Sequence, residues 1–112
     1  MSIQEEREIQ VKKYLEGYKS YKELLYADDY ARDYADTEAP LCDRVLLKSK
    51  MYEIELFVRS LPVCREQNML FQHYIRGHSV EFCGEMLDIS RRTAFRVIKR
   101  AIAMASEYYK NK

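Results

Sequence analysis

The residues with the most chemistry to offer lie toward the C-terminal end. From Ser90 onward the chain carries seven cations, Arg91, Arg92, Arg96, Lys99, Arg100, Lys110 and Lys112, against one acid, Glu107. Wound into a helix, Arg92, Phe95, Arg96 and Lys99 share one face, and Ala94, Val97, Ile98 and Ala101 share another. A helix buried all round would not set three cations about one phenyl ring. Such a face suits a polyanion. Guanidinium forks match guanine edges in a major groove, and an apolar group matches a thymine methyl. The spacing therefore predicts base contacts from Arg92, Phe95, Arg96 and Lys99. The flanking Ser79, Ser90, Arg91, Thr93 and Arg100 suit the phosphate backbone. Two other readings stay open at this point: a solvated basic surface, and Phe95 as a core residue covered by an N-terminal helix.

Other chemistry is weakly represented. Cys64, His73, His78 and Cys83 follow C-x8-H-x4-H-x4-C, without the tight cysteine pair of structural zinc sites. They read as core thiols and ordinary histidines, with no metal and no cofactor. Together with Cys42 the thiols number three, which cannot all pair, and reduced cysteines in a cytoplasmic protein are expected. No Gly-rich phosphate loop, nucleophile–base arrangement or paired-acid motif stands out, so an enzyme is not expected.

The elements that must position these residues read as helices throughout. The 112 residues contain only three Gly and two Pro, too few breakers for a strand-rich fold. Residues 4 to about 34 carry Val11, Tyr14, Tyr18, Tyr21 and Leu25 at 3-4-3-4 spacing, an apolar stripe that fails at Asp28 and Arg32. Tyr26, Tyr30 and Tyr34 form a second row on a different face. A helix of this length would overhang its own core, leaving both rows partly uncovered for a second protomer. Thr37 to Asp43, with Pro40, reads as a break, and Asp43 as an N-cap. A second helix is predicted from Arg44 to Leu61, with Leu47, Met51, Ile54, Val58 and Leu61 as its core stripe. Ser60 reads as the cap of a third helix over 63–76, burying Val63, Met69, Leu70 and Tyr74 and stopping at Gly77.

Gly77 to Ala101 is the informative stretch. Ser79 is an N-cap candidate for a short helix, Val80 to Leu87. Asp88 and Ile89 make a tight connection, and Ser90 caps the basic helix starting at Arg91. Two short helices so joined, the second basic, form the helix-turn-helix pattern. Gly84, in the middle of the first helix, fits a close crossing, and Ile89 would plug the space between the pair.

At these residues the chain resembles region four of bacterial sigma factors, the part that reads the −35 promoter element. The resemblance rests on Leu61-Pro62, Tyr74-Ile75-Arg76-Gly77, Ser79, Leu87-Asp88-Ile89-Ser90, Arg91, Thr93 and Arg100-Ala101. It covers residues 61–101 and departs at Asp88, where a turn Gly is usual, and at Gly84, often Ala. The whole layout is similar to small phage regulators of the ArpU and RinA types, which activate late genes. A complete sigma factor is not expected, since the chain has no room for the domain that melts the −10 element.

Charge divides the chain in the same sense. Residues 1–60 hold 10 basic and 13 acidic residues, and residues 61–112 hold 9 basic and 5 acidic. The acids Asp28, Asp29, Asp33, Asp36, Glu38 and Asp43 mark a region expected to stay off DNA. The expected architecture is all-α: an N-terminal helical segment over 1–42 for oligomerisation, then a DNA-binding domain over 43–112. Double-stranded DNA is the expected partner, with RNA polymerase a second candidate, and a homodimer is expected. No membrane span or signal peptide is expected, because no apolar run is long enough and the start is acidic. The resulting reading is a sequence-specific transcription regulator encoded by a phage or prophage, and an activator. Two rivals are a terminase small subunit, which would form a ring, and a module that binds RNA polymerase or a sigma factor.

Overall fold

The computed structural model describes residues 2–34 and 43–109, and every regular element among them is helical. The break expected over Thr37 to Asp43, with Pro40, lies outside them except for Asp43, as do Lys110, Lys112 and the side chain of Tyr34. The elements are α1 (Ile3–Tyr34), α2 (Arg44–Arg59), α3 (Cys64–Leu70), which runs straight into a π-helical turn (Phe71–Ile75), α4 (Val80–Met86) and α5 (Arg91–Tyr109).

α1 is unbroken through Gly17 and Asp28. Its 32 residues make it about 48 Å long at 1.5 Å per residue, which matches the 48 Å long axis of the molecule. Val11, Leu15 and Tyr18 are buried against Ala101, Ile102 and Ala105 of α5 and Ile54, Phe57 and Val58 of α2. Of the first tyrosine row, Tyr18 is buried while Tyr14, Tyr21 and Leu25 are half-buried, so the row packs on the chain's own core and is only partly uncovered. Tyr14 meets Phe57 edge-on at 5.6 Å and Tyr109 at 4.8 Å, which ties α1, α2 and α5 together. Tyr18 is buried and donates its hydroxyl to Glu55 Oε1 at 2.6 Å. The second row does face outward, with Tyr26 and Tyr30 exposed.

Asp28 is a correction to the stripe. It lies on the buried side and is fully enclosed, with Arg44 Nη1 at 2.8 Å from its Oδ2. The same guanidinium reaches Asp29 at 2.8 Å. A buried carboxylate is tolerable when a cation meets it. This clamp joins the end of α1 to the start of α2.

α2 begins as predicted, with Asp43 accepting from Leu46 N at 3.0 Å. Its end differs. Ser60 closes α2, with its hydroxyl donating to Phe57 O at 2.7 Å, and does not cap α3. α3 has no side-chain cap; Gln67 instead reaches back to the carbonyls of Arg59 and Leu61. Val63 is exposed, not core, and so is Cys64, which the sequence placed among core thiols. Leu70 and Ile75 belong to the main core, with Tyr74 packed against it. Gly77 ends this stretch at φ +77°, a left-handed conformation that a side chain resists. A second, smaller core of Met69, Cys83, Ala94 and Val97 sits between α3, α4 and α5.

Candidate nucleic-acid interface

The candidate interface is made of α4, the turn after it and the first half of α5. Ser79 holds extended backbone and caps α4, accepting from Phe82 N at 3.1 Å. α4 stops at Met86, and Asp88 turns the chain at φ +56°. Asp tolerates this region better than most residues. Ile89 N then returns to Gly84 O at 2.9 Å, closing the turn against the helix it has just left. Ser90 starts α5: its hydroxyl accepts from Thr93 N at 3.2 Å and donates to Thr93 Oγ1 at 2.9 Å.

Gly84 is where the two helices touch. A Cβ placed there would stand 2.8 Å from the Cβ of Ala94, closer than carbon atoms pack. Leu87 and Ile89 close the same small core from the turn side. Cys83 is buried in it, and desolvation raises its thiol pKa. With Ala94, Val97 and Ala101 buried inward, α5 is held rigidly along one side. Ile98, predicted inward, is half-buried and bridges both cores.

The opposite side of α5 faces solvent. Arg92, Phe95, Arg96 and Lys99 are all exposed and, with Arg91, line one shallow depression. Phe95 is 43% exposed, so α1 does not cover it. Arg91 lies over the Phe95 ring at 5.8 Å and pairs with Glu81 of α4 at 3.6 Å. Arg100 is exposed on the flank, and Thr93 is half-buried beneath Ser90. Ser79 lies exposed at the start of α4. Among the described residues, no three His, Cys, Asp or Glu side chains are grouped to hold a metal ion. His73 Nδ1 sits 2.7 Å from the carbonyl of His78, within its own turn. No described helix is long and apolar enough to cross a membrane.

No protein family, curated sequence or solved structure matches this chain.

Two features of the molecule, one at this site and one away from it, had no signal in the sequence. The Glu81–Arg91 contact joins residues ten apart on different helices. The second is a groove of about 740 Å³ between α1 and the turn after α3, lined by Lys19, Tyr26, Tyr74 and His78 among others. It needs the path of α1 across the molecule, which spacing within α1 does not give.

Proposed function

We propose that the protein is a sequence-specific DNA-binding regulator of transcription, with α4 and α5 acting as a helix-turn-helix. The observation that carries this is the exposed set Arg92, Phe95, Arg96 and Lys99 on a helix held from behind by the Gly84–Ala94 contact. A rigid helix with long cations on its free side can enter a major groove of about 12 Å width. Arg92 and Arg96 would offer bidentate donors to guanine, Lys99 a single ammonium, and Phe95 an apolar surface to thymine methyl. Ser79, Ser90, Arg91, Thr93 and Arg100 would hold phosphates on either side. In the first turn of α5 Ser90 takes the Thr93 N–H, while those of Arg91 and Arg92 have no intrahelical acceptor and would add a site for an anion.

The likeness of the whole layout to phage regulators of the ArpU and RinA types favours a phage or prophage activator, with RNA polymerase as a second partner. Selection of bound fragments from random duplex DNA tests the reading. A recurrent short motif is the expected result. No enrichment, together with retention of polymerase or another acidic protein, would overturn it in favour of a protein-binding helix.

A further inference from the structure

We infer that the outward face of α1 is a two-fold interface on which two copies of this chain pair antiparallel. Lys12, Glu16, Lys19, Glu23, Tyr26 and Tyr30 recur at 4-3-4-3-4 spacing and so share one face of α1. All six are exposed, Tyr26 at 73% and Tyr30 at 58%. This face is separate from the core side carrying Val11, Leu15 and Tyr18. From Glu16 to Tyr26 it forms one wall of the 740 Å³ groove, whose far wall is the turn at His73 to Ser79.

The order of residue types says what covers it. Read along the helix the face is Lys, Glu, Lys, Glu, Tyr, Tyr. Lay an antiparallel copy on it, centred at the level of Tyr21. Lys19 then meets the partner's Glu23, Glu16 meets the partner's Tyr26, and Lys12 meets the partner's Tyr30. Each pairing is favourable: ammonium on carboxylate, carboxylate accepting a phenol O–H, and ammonium over an aromatic ring. Two-fold symmetry makes every contact twice. A parallel copy in register would set lysine on lysine and glutamate on glutamate, which repel. The face thus selects one partner, a second copy, and one orientation. This inference does not rest on the DNA reading, and its test contains no DNA, so either can fail alone.

Sedimentation velocity on the full chain at tens of micromolar is the experiment. The parent chain should sediment as a dimer. Lys19→Glu sets a carboxylate against the partner's Glu23 at both ends of the two-fold, and Glu23→Lys sets an ammonium against the partner's Lys19. Each change should weaken pairing about tenfold, from two lost ion pairs and two new repulsions. An equimolar mixture of the two single variants should pair again, because the carboxylate introduced in one then faces the ammonium introduced in the other. The double variant K19E/E23K should dimerise like the parent. Both positions are exposed, and helicity by circular dichroism checks that each variant is folded. A monomeric parent, or single variants that do not pair on mixing, would overturn the assignment.

Discussion

At the scale of single residues, position around α5 separates two kinds of cation. Arg96 lies on the outer face with Arg92 and Lys99, and Arg100 lies on its flank. Arg96→Ala should cost about 1–3 kcal/mol on the preferred site and relax the choice at one base pair. Arg100→Ala should weaken all duplexes alike. Fluorescence anisotropy on matched and mismatched duplexes checks the difference, and identical behaviour would undo the sorting of faces. Gly84 makes a second expectation. A methyl at this position would meet the Ala94 Cβ at 2.8 Å. Ala gains about 1 kcal/mol over Gly in helix propensity, but overpacking costs about 1–3 kcal/mol. Both carbons are fixed to backbone, so the clash should win and Gly84→Ala should lower the urea midpoint. G84A/A94G moves the methyl to the other helix and should recover part of the loss. These positions were legible in the sequence because their causes are local. Asp43, Ser79 and Ser90 cap helices through bonds three residues away. Phe95 was not settled by spacing, since its exposure depends on where α1 runs.

At the scale of elements, the pairing of α1 with α2 and α5 decides the fold. Spacing identified α1 as a long helix and placed Val11 and Tyr18 inward. It missed Leu15 and Phe57, both now central to the core, because each sits beside the simplest stripe and is drawn in by a third helix. It also ended the stripe at Asp28, whose burial depends on Arg44 from the next helix. A heptad reading has no means of seeing a cation delivered from elsewhere. Leu15→Ala removes a fully buried side chain at this junction and should cost about 2–5 kcal/mol, measured by denaturant unfolding. Residues of α1 supply part of the shared core, so a chain beginning at Asp43 should lose helicity and cooperative unfolding. The tyrosines of the same junction set a pH limit. Burial, then the Glu55 hydrogen bond, raises the Tyr18 pKa from 10.0 to about 12. Burial also pushes Tyr14 and Tyr74 up. A folded-state pKa above the unfolded one means the stabilisation is complete below pH 10 and is lost as pH rises toward 12. Thermal unfolding should therefore be insensitive to these groups near neutrality and fall steeply above about pH 10. Tyr18→Phe should flatten part of that fall.

At the scale of the whole molecule, charge is laid out along the fold as it is along the chain. The acids Asp28, Asp29 and Asp43 gather where α1 ends and α2 begins, with Arg44 held between two of them. The cations Arg91, Arg92, Arg96, Lys99 and Arg100 gather on the first half of α5. A nearly neutral protein, with a formal net charge of +1, thus has one face that attracts a polyanion and one end that repels it. Orientation on DNA would then be set before any base is read. The strength of this effect is measurable through salt. Each phosphate neutralised releases counterions and contributes about −0.9 to the slope of log affinity against log salt. Five cations on α5, the three aimed at base edges included because a cation in the groove also displaces counterions from the flanking phosphates, with Arg91 partly engaged by Glu81, give a slope of roughly −4 per protomer. If two copies bind together through the α1 face, both recognition helices act, and the slope should approach roughly −8. Anisotropy across a potassium chloride series, with the parent and with the Lys19→Glu variant, separates these cases. The parent should show the steep slope on a two-site duplex and the variant the shallow one at low protein concentration. A slope near zero for both would mean that the cations of α5 meet no phosphates, and the major-groove reading would fall with it.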